Sequence, residues 1–179
     1  YKGIFTILSS CASRQLEEVT FRRTVIPVQE LLDTAGKYFK KSMKNRSERI
    51  ELEIEPMEAK VIGDVNQLRF LLENLIDEAL TVREDGVIRL QARQDNEYIR
   101  FLFTDTRREK SVEELNQLFY PNLARMTSGE KGELRGTEYL VCKQIIRDHD
   151  EFAGRRGCRI NAEPAEGGGF TVYFTIPRR

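Results

Sequence analysis

The segment RFLLENLIDEALTV, residues 69–82, carries a row of polar side chains beside a strongly apolar face. Glu73, Asn74, Asp77 and Glu78 are three or four residues apart or adjacent, so they lie on one side of a helix. We call these four residues the polar row. It either faces water or lines a site that holds a charged ligand, and the rest of the chain has to discriminate between the two.

Other residues could contribute to such a site. Asp105 ends the apolar strand YIRFLFTD, and residues 120–135 form a polar loop with one proline and two glycines. A loop of that length in a compact domain is usually functional or mobile. The run Arg107-Arg108-Glu109-Lys110 is typical of a solvated turn, and a docking patch is the alternative.

The remaining candidate residues exclude several chemistries. The single histidine, His149, is expected at the surface or at a helix end, where the helix dipole favours it. A His-rich metal site is therefore excluded. Cys11, Cys142 and Cys158 are widely spaced and contain no CxxC, which favours free thiols in a reducing cytosol.

Composition is that of an ordinary globular protein. The chain has 179 residues, of which 40% are hydrophobic and 32% charged. Lys+Arg and Asp+Glu are both 29, so net charge gives no support for bulk binding to nucleic acid or to an anionic membrane. No apolar run approaches the roughly 18 residues of a membrane span. Because the chain starts at Tyr1 rather than Met, we expect a piece of a longer polypeptide.

Apolar periodicity predicts helices and strands in a mixed order. Asp64 is expected to cap the helix of the polar row, and Ser111 with Glu114 has capping-box spacing. The predicted helices span residues 1–19, 29–43, 65–82, 111–119 and 136–149. The predicted strands span residues 20–28, 49–55, 59–63, 87–94, 98–105, 157–164 and 170–177. Helices alternate with antiparallel pairs, which predicts an α/β fold: a two-layer sandwich of a mixed sheet with helices on one face.

This order of elements, with its punctuating motifs, resembles the ATP-binding catalytic domain of sensor histidine kinases, in the superfamily that includes gyrase, Hsp90 and MutL. The resemblance covers roughly residues 20–179, and residues 1–19 are similar to the end of the dimerisation helix that precedes the domain. The stretches that carry it occur in the family's order: VIGDVNQLRFLLENLIDEAL, FLFTDT, SVEELNQLFYP, RGTEYLVCKQIIRDH and GGGFTVYFTIP.

The resemblance implies a site for ATP and Mg²⁺. Asn74 takes the family's first Asn position, and Glu78 stands where a second Asn would ligate Mg²⁺. Asp105 takes the adenine-binding position, and Gly136 keeps one glycine of the turn that cradles phosphate after the lid-like loop 120–135. The alternatives without ligand binding are a solvated helix face for Asn74 and Glu78, a strand-end turn for Asp105 and a helix start for Gly136.

Several family positions are changed. Arg107 and Glu109 replace the glycines of Asp-x-Gly-x-Gly, and long charged side chains there would obstruct a nucleotide. Leu134 and Glu138 replace glycines beside Gly136, and Glu138 brings negative charge to the phosphate position. Basic or aromatic family residues fall on Thr81 and Val82, for which Arg83 is a candidate substitute. The resemblance thus implies a degenerate version of the site.

The implied function is the C-terminal catalytic-type domain of a two-component histidine kinase whose eroded site binds ATP weakly or not at all. The alternatives are an active Mg-ATP autokinase domain that phosphorylates an upstream His, and another superfamily kinase such as an anti-sigma-factor kinase. Implied partners are upstream dimerisation helices of the same chain, a response regulator and a second copy in a homodimer. Nucleic acid and membrane contact are not expected for this fragment, and a cytoplasmic location is.

Overall fold

The computed structural model describes residues 20–121 and 137–179. The predicted helix at residues 1–19, nearly all of the lid-like loop and Gly136 lie outside the described residues. The described elements, in chain order, are β1 (Thr24–Pro27), α1 (Val28–Met43), β2 (Ile50–Ile54), β3 (Lys60–Gly63), α2 (Val65–Ala79), β4 (Gly86–Asp95), β5 (Tyr98–Asp105), α3 (Val112–Asn116), α4 (Glu138–Phe152), β6 (Ile160–Pro164) and β7 (Phe170–Pro177).

A five-stranded mixed sheet forms one layer. Its spatial order is β2-β4-β5-β7-β6, with β2 parallel to β4 and the other neighbours antiparallel. Along β5, buried Ile99, Phe101 and Phe103 alternate with the partly exposed Arg100 and Leu102, because successive side chains point to opposite faces. The α/β sandwich with a mixed sheet is confirmed.

Three amphipathic helices form the second layer. The apolar residues of α1, α2 and α4 join those of the sheet in one hydrophobic core. At its centre the rings of Phe101 and Phe174, on neighbouring strands, stack with centroids 4.9 Å apart. Large aromatic side chains contribute much of the buried apolar area in such a core.

Strands β1 and β3 form a separate two-stranded ribbon. Val25 lies opposite Ile62 and Ile26 opposite Val61 in an antiparallel register. Arg178, just after β7, makes an isolated bridge to Val61. The β-strand predicted at residues 20–28 is shorter than expected and ends at Pro27.

Helix α2 begins where the sequence indicates. The Asp64 carboxylate accepts hydrogen bonds from the backbone N–H groups of Asn66 and Gln67, at 3.0 and 3.2 Å. It also accepts one from the backbone of Arg22 at 3.0 Å, which fastens the chain before β1 to this cap. The Ser111–Glu114 capping box is present at the start of α3.

Candidate nucleotide site

Asp105, at the end of β5, is paired with Arg107 two residues later. One carboxylate oxygen of Asp105 accepts from the backbone N–H and from Nε of Arg107, at 3.0 and 2.9 Å. The other accepts from Nη2 at 2.9 Å. The two side chains are 4% and 1% exposed, so the pair is buried. Both oxygens of the predicted adenine ligand are therefore already occupied by a guanidinium group.

The rest of the Arg107 guanidinium binds the carboxyl end of α2. Nη1 donates to the carbonyls of Val82 and Glu84 at 3.0 and 2.9 Å, and Nη2 donates to that of Ala79 at 2.6 Å. Carbonyls at a helix C-terminus lack intrahelical partners and carry partial negative charge, which favours a cation there. Together with the Asp105 bonds, all five N–H donors of the guanidinium are used.

Glycine makes room for this arrangement at Gly86. A Cβ atom on Gly86 would lie 2.5 Å from Cγ of Arg107, and its φ of +146° is one that other residues rarely adopt. The aliphatic part of the Arg107 side chain therefore lies against the bare backbone of the first residue of β4.

A second glycine, Gly169, lies close to the backbone of Asp105 and binds Glu109. Gly169, at φ +85°, lies so close to Asp105 that a Cβ would be 2.1 Å from its carbonyl oxygen. The backbone N–H of Gly169 donates to the Glu109 carboxylate at 3.1 Å. Glu109 thus joins the loop after β5 to the turn before β7. The glycine run 167–169 forms this turn, with positive φ at each position.

The polar row is not a uniform solvated face. Asn74 is buried, and its amide donates to the carbonyl of Phe70 at 2.7 Å. Glu78, one turn later, is half-buried. Asp77 is exposed and accepts from the hydroxyl of Tyr38 on α1 at 2.7 Å. Burial, and then this hydrogen bond, raise the pKa of Tyr38.

Two further charged residues expected near the site have other surroundings. Arg83 is largely exposed and pairs with Glu48 at 3.2 Å. Glu138 begins α4, and one of its carboxylate oxygens is buried without a hydrogen-bond partner among the described residues. A carboxylate at this helix N-terminus is stabilised by the helix dipole, in the place where the resemblance puts phosphate.

The start of α2 is joined to α4 by His149. The sequence places this residue at the surface or at a helix end, and it lies at a helix end but not at the surface. His149 is fully buried, in the last turn of α4. Its Nε2 accepts from the backbone N–H of Asp64 at 3.0 Å, and Nδ1 lies 2.8 Å from the Ile145 carbonyl. The ring of Phe21 packs edge-on against it. His149 is therefore a core residue that connects two helices.

The interpretation of residues 107–110 as a solvated turn is also wrong for Arg107. The sequence indicates that a long side chain at position 107 would obstruct a nucleotide, but not that this side chain turns toward Asp105. It also does not indicate the three carbonyls that bind the guanidinium. The one available signal is the Asp-x-Arg spacing at a position where the family has Asp-x-Gly. Among the described residues, no three His, Cys, Asp or Glu side chains are grouped as for a metal ion.

The arrangement as it stands does not fit an adenine ring at Asp105, because both carboxylate oxygens are bound by Arg107 rather than directed at a ligand. The residues of this site bind one another: Asp105 holds Arg107, and Arg107 holds the carboxyl end of α2. Asn74 and Glu78 provide oxygen atoms on the same helix that a cation could use.

Comparison with known proteins identifies the family. The model of the histidine kinase-, DNA gyrase B- and HSP90-like ATPases matches residues 63–179. A comparison with curated proteins found no match. Because the family model covers more than half of the chain, the chain belongs to the histidine kinase-, DNA gyrase B- and HSP90-like ATPase family.

Solved structures give the same fold. A mycobacterial sensor histidine kinase, MprB, matches with a TM-score of 0.67 at 20% identity, over 88% of this chain and 99% of that one. The nucleotide-free catalytic domain of the histidine kinase ThkA matches with a TM-score of 0.68 at 21% identity, over 88% and 96%. ThkA in complex with the response regulator TrrA matches with a TM-score of 0.66 at 19% identity, over 99% and 49%. The fold is that of a histidine kinase-type ATPase domain.

Proposed function

We propose that this chain is a histidine kinase-type domain of two-component signalling whose nucleotide site is closed by its own Arg107. The domain then binds ATP weakly or not at all and acts through protein contacts. The observation that carries the proposal is the buried pair between Arg107 and Asp105. A nucleotide that needs the Asp105 carboxylate must first displace this guanidinium.

The displacement is energetically unfavourable. Removing one partner of a buried ion pair typically costs about 3–5 kcal/mol, because the other charge is left without compensation. The carbonyls of Val82 and Glu84 would also lose the Arg107 donor. The Ala79 carbonyl would keep only the backbone N–H of Val82, at 3.2 Å. An adenine amine returns one hydrogen bond to Asp105 and none to those carbonyls. The balance therefore favours the closed arrangement.

The phosphate end of the site supports the same conclusion. Glu138 places a carboxylate at the start of α4, where the family resemblance puts phosphate groups. Two like charges brought together in a partly buried site repel each other. Glu78, in place of the second Asn, adds a further negative charge unless a divalent cation is bound there.

The second candidate is an active kinase domain that uses ATP with Mg²⁺. Its support is that Asn74 and Asp105 are both retained and that a carboxylate such as Glu78 can ligate Mg²⁺. In that case Asn74, Asp105 and Gly136 would contact the nucleotide after Arg107 moves out. An anti-sigma-factor kinase is a third candidate of the same superfamily, and the dimerisation-type helix proposed for residues 1–19 argues against it.

The proposed partners are those of the relatives. ThkA has been solved with the response regulator TrrA, and we extend that kind of partner to this chain. Upstream dimerisation helices, which would also carry the phosphoacceptor His, and a homodimer belong to the same proposal, as do a cytoplasmic location and a domain spanning residues 20–179. Among the described residues, none of the helices combines the length and apolarity that a membrane crossing needs.

Thermal unfolding with and without millimolar Mg-ATP tests the closure. A ligand at about a hundred times its dissociation constant adds about 2.7 kcal/mol, a rise of roughly 5–10 °C for a domain of this size. We expect almost no rise for the unchanged chain. Arg107→Gly should lower the melting temperature without nucleotide and gain an ATP-dependent rise, because it frees the carboxylate and restores the family's residue.

Two variants complete the experiment. Arg108→Gly removes the neighbouring positive charge and should behave as the unchanged chain. Asp105→Asn should show no ATP-dependent rise. A rise of several degrees in the unchanged chain that disappears in Asp105→Asn would contradict the closure and favour the active-kinase candidate. That outcome can be read even if Arg107→Gly does not fold.

A further inference from the structure

A cavity of about 370 Å³ lies at the opposite end of β5 from Asp105, among the chain before β1, the end of α4 and the end of β7. Tyr98 and Asp105 are the two ends of β5, and at about 3.3 Å per residue they are roughly 23 Å apart. Pro177, which lines the cavity, pairs with Tyr98. The cavity is therefore well separated from the nucleotide site.

The cavity is strongly basic. Arg23, Arg155 and Arg179 line it, and no Asp or Glu is among its lining residues. This excess is local, since the chain as a whole has 29 basic and 29 acidic residues. We call these three residues the arginine cluster.

Most of this positive charge is not neutralised by ion pairs. In the described part of the chain, Arg23 and Arg179 form no salt bridge, whereas Arg155 lies 3.7 Å from the Glu97 carboxylate, which is 68% exposed. The carboxyl end of α4 contributes about half a negative charge near Gly154. The guanidinium head of Arg23 lies beside Gly154, where this end would attract it. Glu97 and the helix end therefore offset part of the charge of the arginine cluster.

The wall beside the arginine cluster is apolar. Val25 and Ile62 are directly opposite each other on the β1–β3 ribbon, so their side chains share one face. Their neighbours in the ladder, Ile26 and Val61, are buried on the other face. Val25 is 41% exposed, so part of its apolar side chain is open to a ligand. The cavity thus combines an apolar wall with several guanidinium donors.

We infer that this cavity is a second ligand site, which binds a small molecule carrying a phosphate or diphosphate group. Guanidinium groups form paired, charge-assisted hydrogen bonds with phosphate oxygens. A phosphate monoester offers three acceptor oxygens and nearly two negative charges, which matches several arginines better than a single carboxylate does. The volume is at the lower end of small-molecule sites, and Val25 and Ile62 supply a surface for the rest of such a ligand. The inference does not depend on whether the nucleotide site is closed.

Titration with pyrophosphate, followed by backbone amide NMR at constant ionic strength, tests the inference. We expect saturable shifts at the amides of Val25 and Gly154, at millimolar concentrations or below. Arg23→Ala should weaken binding at least roughly tenfold, because a charge-assisted hydrogen bond to the phosphate group is lost. Arg159→Ala is the matched control, because Arg159 is an exposed arginine beside β6 and outside the cavity. It should leave the affinity unchanged.

Several outcomes would overturn the inference. One is the absence of saturable shifts up to about 10 mM, well above the usual range for a specific small-molecule site. Another is equal weakening by Arg159→Ala, which would indicate general charge screening. Shifts at Gly86 and Thr106 instead of Val25 would place the anion at the Asp105 end. Tighter binding of citrate than of pyrophosphate would exclude a phosphate preference. None of these binding outcomes depends on the state of the Asp105 site. A negative result for the cavity is therefore distinguishable from a negative result for the proposed closure.

Discussion

At the scale of single residues, Arg107 determines which groups the neighbouring Asp105 carboxylate can bind. Asp105 at a strand end can serve as a ligand or as an internal ion-pair partner, depending on the residues that come after it in the chain. Here the side chain two positions later turns back and occupies both of its oxygens. The same carboxylate therefore has a structural role in this chain, which our proposal extends to the loss of nucleotide binding.

Gly86→Ala tests the packing around Arg107. The new Cβ would collide with Cγ of Arg107 and would require an unfavourable φ, so we expect a loss of about 2–4 kcal/mol in the free energy of unfolding. Urea unfolding gives this quantity. Gly167→Ala is the control: its φ is +86°, but nothing lies within 4 Å of the new Cβ. It should lose only about 1 kcal/mol.

A double variant separates the backbone strain at position 86 from the steric clash between the new Cβ and Arg107. If the Arg107 side chain is the obstacle, combining Gly86→Ala with Arg107→Gly should give less than the sum of the two single losses, because residues in contact are coupled. Full additivity of the two losses would show that Arg107 does not lie against Gly86.

At the scale of elements, the start of α2 is a junction of three segments. The Asp64 side chain caps α2 and also holds the backbone of Arg22, while the Asp64 backbone N–H binds His149 of α4. Sequence alone indicates the cap, because Asp precedes an apolar run. It does not indicate the contacts with residues 42 positions before and 85 positions after Asp64.

Asp64→Ala should therefore cost more than an ordinary cap. A lost N-cap typically costs about 1 kcal/mol, and here a backbone donor of Arg22 also loses its partner, so we expect about 2–3 kcal/mol. Ser111→Ala removes an exposed cap of the short helix α3 and should cost about 0.5–1 kcal/mol. Chemical denaturation of the two variants compares them. Equal losses would contradict the junction role of Asp64.

At the scale of the whole molecule, the layer architecture could be predicted because strand alternation and helix periodicity are local patterns. The predicted and observed bounds of β5 agree, and α1 differs by one residue at its start. α4 extends to Phe152, beyond the predicted end at His149, because no strong stop signal comes directly after the histidine.

The closed site and the arginine cluster could not be predicted in the same way. The carbonyls that bind Arg107 come from residues 23–28 positions earlier in the chain. The cluster brings together Arg23, Arg155 and Arg179 from both ends of the described chain. Such contacts depend on tertiary structure, which sequence patterns indicate only through the family resemblance.

The buried thiol of Cys158 reports on the integrity of the whole fold. Burial, and then the charge of Asp150, raise the pKa of Cys158 to about 12. The thiolate is the reactive form, so alkylation at about pH 8 should be far slower than for a free thiol until the protein unfolds. Mass spectrometry of the Cys158 peptide across a urea series measures this. Fast labelling without urea would contradict the burial.

The same shift has a consequence for alkaline stability. The folded state holds the proton of Cys158 more tightly than the unfolded chain, whose thiol has a pKa of about 8.5. Its contribution is therefore complete below about pH 8.5 and declines as the pH rises from there toward about 12. Cys158→Ser should flatten this part of the stability profile.

Helix α2 is held at both of its ends by hydrogen bonds to other segments of the chain. Its 15 residues span roughly 22 Å at about 1.5 Å per residue. At one end Asp64 holds the chain that enters before β1, and at the other the Ala79 carbonyl lies 2.6 Å from the Arg107 guanidinium. A displacement of about 1 Å along the helix axis would stretch that hydrogen bond beyond its working range. A movement of the chain before β1 that displaces α2 along its axis would therefore act directly on the hydrogen bond between Ala79 and Arg107.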